Sequence, residues 1–337
     1  MEQILVVTHT EESGSSLTRA SLEAVAAGVE LALRLTAPLT IGVVGAAEAL
    51  DAVATTGATL LAVSGDGFRV ARYATDAAAV EALARWSAAT IVLLPGGSRF
   101  ARVAAGVATR LGGFVDTHIT AVGGDAQIEA SRWFYRQRIE AVLARSSRPW
   151  ILVLDAGSRA PYAGAAGTAI VEQVDVTLPA TRTTVTGYRS PEQGQQTIRP
   201  DAKLLFVAGA GWTKKQPDGA IHTEKAAELI LQFLGASSAS LGSSKSLVDQ
   251  GGEGNSVLPF LTHMNQIGQT GATPRHPKGL ATCCHGEEPH VVGWRFIGER
   301  RAISLDANCG WTRGKADVVY IADAFEVVAK LNALLAR

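Results

Sequence analysis

Short apolar runs alternate with longer stretches of helical periodicity from the first residues of the chain onward. That rhythm constrains the fold more than any other feature. Strands separated by helix-length connections pair parallel, and the sheet they form needs helices on both faces. Gln3 to His9 reads as a first strand, and Ser15 or Ser16 then caps a helix running to Leu35, in which Leu17, Ala20, Ala24, Val25 and Gly28 keep a helical period. Leu39 to Gly45 reads as the second strand. Ala58 to Val63, Ala89 to Leu94 and Asp116 to Val122 read as further strands, with helices over Asp76 to Ser87 and Phe100 to Leu111. The first part of the chain is therefore expected to be a doubly wound α/β domain.

From Gln127 the pattern turns β-rich: Glu129 to Arg138, Ala141 to Arg145, Trp150 to Asp155 and Ala169 to Val176 read as antiparallel additions to the first sheet. The polar segment Ser190 to Pro200 (SPEQGQQTIRP) reads as a linker, and the boundary is placed near 198, giving domains over 1–198 and 199–337. The α/β rhythm then restarts, with strands over Lys203 to Ala208, Ala236 to Leu241, Gly279 to Cys284, Arg301 to Leu305 and Asp317 to Ile321. Helices are expected over Thr223 to Leu234 and Ala322 to Leu335. The fold class is α/β, with an N-terminal doubly wound domain carrying added strands and a C-terminal Rossmann-like domain.

Composition narrows the function. Lys+Arg and Asp+Glu are both 31, so the chain has no basic field for a phosphate backbone, and nucleic acid is excluded as a partner. No apolar run approaches the ~20 residues that span a bilayer. Nor does the N-terminus carry a basic segment followed by a long apolar one, so a bacterial cytoplasmic location is expected. Of the three cysteines, Cys283 and Cys284 are adjacent, which encodes neither a disulfide framework nor a CxxC site; they read as small buried strand-end residues.

No GxxxxGKS/T loop, GxSxG elbow or HExxH helix occurs, which removes the main support for kinase and hydrolase chemistry. Gly209-Ala210-Gly211 follows a strand, but Lys214 stands where a dinucleotide fingerprint needs a small residue, and a plain tight turn accounts for it equally well. Three other turns are rich in donors. Gly242-Ser243-Ser244-Lys245, between a strand and a helix, suits an anion or an ordinary serine cap. Gln266-Ile267-Gly268-Gln269-Thr270-Gly271 suits a flat polar heterocycle held close to backbone, or a bare loop. Cys283-Cys284-His285-Gly286 leads into Glu287 to Val292, another candidate helix start for a phosphate. His263, His276, His285 and His290 match no common metal-ligand spacing. Arg99, Arg102 and Arg110 read as a solvated helix face or a subunit contact. Trp133, Phe134 and Tyr135, being consecutive in a strand, cannot share one core, so at least one is expected to meet another chain.

Taken in order, GSSKSLVD (Gly242 to Asp249), QIGQTG (Gln266 to Gly271), His290 in HVVG, Asp306 ending AISLD, and Ala322-Asp323 resemble the FAD-binding C-terminal domain of the electron-transfer flavoprotein alpha subunit. In the first half, MEQILVVTHT and IVLLPGGSRFARVAAGVATRLGGFVDTHITAV resemble that family's first strand and its GxxxxxxRVAxxLG helix with the following strand; residues 127–200 match loosely. The resemblance implies an electron carrier rather than an enzyme. Such a carrier takes electrons from a partner dehydrogenase to an acceptor such as a quinone reductase, and it pairs with a beta subunit that holds AMP or a second FAD. It implies that Ser244 and nearby amides contact the FAD diphosphate and that Lys245 replaces the family's arginine against the flavin ring. Gln269 and Thr270 would bind flavin or ribityl groups, with Thr270 by N5, and His290 would approach the ring carbonyl O2. Asp323 and the Ala324 backbone would meet the adenosine end. Gln266, Gly268, Gly271, His285, Gly286, Ser304 and Asp306 complete the implied cofactor-binding set. A donor near N5 with positive character near O2 would stabilise a one-electron-reduced anionic flavin.

The sequence also departs from the family pattern. Lysine at 245 keeps the charge but cannot stack a planar guanidinium. His285 stands where the family has serine, Ser304-Leu305 replace an Asn-Lys pair, and an insertion that includes Gly251 to Gly254 separates Asp249 from Gln266. Two alternatives therefore stand beside the carrier: a nucleotide-binding scaffold without flavin, and a flavin enzyme acting directly on a small substrate.

Overall fold

The computed structural model describes the chain except at positions 12–13, 15, 125–126, 135–138, 179, 188–197, 200–201, 250–256, 268–272, 283–295, 310–311, 313–315 and 337. Contacts divide it into two compact units, Met1–Tyr188 and Arg189–Arg337. The expected linker lies largely outside the described residues.

The first unit is built in the order β1 (Ile4–His9), α1 (Arg19–Leu35), β2 (Leu39–Val44), β3 (Thr59–Val63), α2 (Asp66–Arg69), α3 (Tyr73–Trp86), β4 (Ile91–Leu94) and α4 (Ser98–Leu111). It continues with β5 (Phe114–Gly123), β6 (Glu129–Phe134), β7 (Ile139–Ala144), β8 (Trp150–Leu154) and β9 (Val171–Gln173). Its nine strands lie in the order β7-β6-β5-β8-β4-β1-β2-β3-β9, all parallel except the β5-β6-β7 meander. Alternate residues of β1 explain the unbroken apolar run: Ile4 and Val6 pack under α1, while Leu5 and Val7 pack under α3 and α4.

Several expectations shift here. The α1 cap is Thr18, whose side chain accepts the Ser21 N–H, rather than Ser15 or Ser16. Leu17 pairs with Thr10 in an antiparallel bridge, and the helix begins only after Thr18. β8 is not an antiparallel addition; it inserts between β4 and β5, parallel to both, and all five of its residues are buried. Its indole Trp150 is fully buried and donates to Asp116 at 2.9 Å. β9 is also parallel and pairs with β3 at the far edge. A strap reaches it, with Tyr162 N–H bonding Leu22 and Gly167 N–H bonding Asp51, and only three of the eight expected strand residues pair.

Of the arginines of α4 only Arg99 is buried, while Arg102 and Arg110 are exposed and each pairs with an acid of α3. Arg99 is buried and bonds Asp76 at 2.8 Å and the Phe68 carbonyl at 2.6 Å, Arg102 reaches the other Asp76 oxygen at 3.1 Å, and Arg110 pairs with Glu81. Of the aromatic run, Trp133 and Phe134 are both half-buried, with Arg132 stacked over the Phe134 ring at 4.2 Å. Tyr135 lies outside the described residues.

The second unit comprises β10 (Leu204–Ala208), α5 (Thr223–Ser237), β11 (Ser240–Ser243), α6 (Lys245–Asp249), β12 (His276–Thr282), β13 (Ile297–Ser304), β14 (Val318–Ile321) and α7 (Ala324–Leu335). All five strands are parallel in the order β11-β10-β12-β13-β14. α5 runs past the expected end at Leu234 and stops where Ser238 turns left-handed, so Ala236 is helical and β11 begins only at Ser240. Phe206, Trp212, Phe233 and Phe325 centre the core under α5 and α7; Leu205, Ile267, Phe296 and Ile297 centre the opposite face. Gly209-Ala210-Gly211 forms a tight 3-10 turn with Trp212 buried behind it.

Candidate functional site

Because the five strands of the second sheet are parallel, their carboxyl ends line one edge, and the strand order reverses between β10 and β12. Open α/β sheets receive ligands at such a reversal. Gly209 N–H bonds the Thr282 carbonyl at 2.9 Å, and the Thr282 hydroxyl bridges Val207 O and the Trp212 indole, which fixes the floor of this crevice.

β11 ends at Ser243 beside the segment leading to Gln266. Gly242 makes this approach possible, since a Cβ there would lie 2.6 Å from the Ile267 side chain. Ile267 N–H bonds Ser243 O at 3.1 Å, and Thr262 and Asn265 close a capping box over the turn His263–Asn265, which Asn265 ties to Leu241 O. Gln266 is thereby held in the interior with its Oε1 buried and, among the described residues, without a hydrogen-bond partner. A buried amide oxygen of this kind needs a donor.

Ser244 is buried; its N–H bonds Ala208 O and its hydroxyl accepts the Leu247 N–H, the ordinary cap weighed from the sequence. Lys245 is half exposed and paired with Asp249 four residues on. At the other end of the edge, Ser304, Asp323, Ala324 and Gln216 line a shallow surface depression. Asp323 Oδ1 caps α7 by accepting the Phe325 N–H at 2.7 Å, while Ser304 and Asp306 bond each other in a turn that Asn308 closes. The expected site residues Gly268, Gln269, Thr270, Gly271, His285, Gly286 and His290 lie outside the described residues, as do Cys283 and Cys284. Ser244, Lys245 and Gln266 come together at β11, and Ser304, Asp306, Asp323 and Ala324 come together beyond β13 and β14.

Residues 6–179, more than half of the chain, match the family model described as the electron transfer flavoprotein domain. The chain belongs to the electron transfer flavoprotein family. No curated protein matches it. Members of this family are electron carriers rather than classical enzymes, and among the described residues no helix is long and apolar enough to cross a membrane.

Two titratable groups of the matched region are shifted by their surroundings. Burial pushes the His9 imidazole down to about 4; its Nδ1–H donation to Thr10 O and the Asp76 carboxylate act the other way, and Arg99 reinforces the fall. His9 is therefore neutral near pH 7. Burial acts to raise Asp116, but Arg145, the Trp150 indole and Arg132 outweigh it and hold the carboxyl below its usual range. Both groups serve the framework of the family domain.

The residues at the second sheet's edge fit a dinucleotide flavin. Among the described residues the buried Gln266 oxygen has no donor, Lys245 opens the helix that follows β11, and Ser304 and Asp323 offer polar groups at the far end of the edge. Asp249 and His263 carried no assigned role in the sequence. The signals for them were the i to i+4 spacing of Lys245 and Asp249 and the Thr262-x-x-Asn265 cap before Gln266.

Proposed function

We propose that this chain is the alpha subunit of an electron transfer flavoprotein, that it binds FAD along the carboxyl edge of the second sheet, and that it works with a beta subunit to carry electrons from a dehydrogenase to an acceptor oxidoreductase. The observation that carries the reading is the Oε1 of Gln266, buried and without a partner among the described residues, where the QIGQTG segment docks against the end of β11. FAD, when bound, supplies the capacity to take up a pair of electrons and release them singly.

The chain's own residues then have distinct tasks. Gln266 accepts a hydrogen bond from a flavin N–H or a ribityl hydroxyl. The Lys245 and Ser246 amides and the Lys245 ammonium offset the diphosphate or the charge that develops on the ring. Asp323 keeps α7 capped so that the Ala324 backbone stays at the surface depression. Thr270 and His290 take the places by N5 and O2 that the resemblance implies.

Gln266→Leu separates a cofactor ligand from a structural amide. Removing a buried acceptor without a partner should raise the stability of the flavin-free protein by about 1–2 kcal/mol, on the scale of an unsatisfied buried group. The same change should weaken FAD by roughly tenfold, about 1.4 kcal/mol. A loss of stability without FAD, together with unchanged FAD affinity, would overturn the assignment.

A further inference from the structure

We propose that Asp249 is a positioning residue, a clasp that holds the Lys245 ammonium and joins the two cofactor-facing segments on either side of it. This inference rests on the FAD reading above. The Asp249 Oδ2 atom bonds Lys245 Nζ, and its Oδ1 atom faces His263 Nδ1 at 3.7 Å. The acid is the least exposed of the three side chains, 27% against 52% for Lys245 and 61% for His263, so the carboxylate is the fixed centre and the two side chains that meet it are the arms. Through Lys245 it reaches the turn that follows β11. Through His263 it reaches the capped turn that ends in Gln266, whose N–H bonds the His263 carbonyl at 3.1 Å. A lysine on a four-carbon stem loses much rotamer freedom when a ligand fixes it, and a clasp made beforehand removes part of that loss.

Charge alone and positioning predict opposite signs. FAD carries an anionic diphosphate, so a nearby carboxylate acting only through its charge repels it, and Asp249→Asn would tighten binding. If the clasp holds Lys245 and the Gln266 turn, Asp249→Asn weakens binding instead. The test is FAD affinity, read from quenching of flavin fluorescence, for the full-length wild type, Asp249→Asn, Asp249→Glu, Lys245→Ala and the double variant Lys245→Ala with Asp249→Asn.

Expected are a loss of threefold or more in Asp249→Asn, recovery of most of it in Asp249→Glu, and a double variant no weaker than Lys245→Ala. His263→Gln should lose less than Asp249→Asn, because the lysine pair survives. Unchanged or tighter binding in Asp249→Asn, or the same loss with and without Lys245, overturns the clasp while leaving the flavin site in place. A wild type that binds no FAD removes the functional reading, and the clasp with it. Should Asp249→Asn not fold, Asp249→Glu against Lys245→Ala decides: a Glu variant as weak as Lys245→Ala contradicts the clasp.

Discussion

His9 is a single imidazole at the end of β1, and its burial has a cost that can be measured. Its folded value of about 4 lies below the ordinary 6.5, so between those values the unfolded chain binds more protons and stability rises with pH. The contribution is complete above the unfolded value and is lost as pH falls through the folded one. At 1.36 kcal/mol per unit the increment is of the order of 3 kcal/mol. Urea midpoints of the wild type should fall between pH 7 and pH 4 more steeply than those of His9→Gln; parallel slopes would contradict the assignment. Asp76 is a second case at this scale. It is fully buried between Arg99 and Arg102, and Asp76→Ala leaves Arg99 buried without its charge partner, at an expected loss of about 3–5 kcal/mol in denaturant unfolding. A loss under 1 kcal/mol would mean that the Phe68 carbonyl alone satisfies Arg99. The sequence showed Arg99, Arg102 and Arg110 as a stripe, but their acceptors lie on α3, and no periodicity within α4 points to an acid 23 positions away.

Elements were legible where their signal is local. Five of the strands of the first sheet and its three long helices follow from apolar period and turn residues, and their bounds moved only by a few positions. Pairing was less legible. The run Trp150 to Leu154 is apolar at every position, which marks a strand buried on both faces, yet its neighbours in sequence are the hairpin β6-β7 and so it read as another antiparallel strand. The contact that seats β8 is a glycine in a different loop. A Cβ on Gly96, after β4, would run into the Leu154 carbonyl and the Ala156 amide, both backbone and unable to yield, whereas one on Gly97 meets nothing. Gly96→Ala should therefore destabilise by about 1–3 kcal/mol, the range for overpacking. Gly97→Ala should stay within about 0.5 kcal/mol, as surface changes do. Equal melting shifts in the two variants would contradict the close approach. Gly242 has the same role in the second sheet, where it lets Ile267 and hence Gln266 approach β11. Neither the buried oxygen of Gln266 nor its neighbour Ser243 can be read from spacing, because both depend on how a turn docks against a strand distant in sequence.

For the whole molecule, the family domain over 6–179 and the α/β unit that follows divide the labour. The first unit contributes a doubly wound framework, and the second contributes the sheet edge at which the proposed flavin site lies. Motif order carried the functional reading, and the topology supplies what motif order lacks: a strand reversal between β10 and β12 that opens a crevice at that edge. Titration of FAD into the full-length protein, followed by flavin absorbance and fluorescence, tests the central claim most directly. The predicted result is saturable binding with one FAD assigned to this chain, weakened by Gln266→Leu here and unaffected by Gly97→Ala in the first unit. Absence of saturable binding, or binding that Gln266→Leu leaves unchanged, would contradict it.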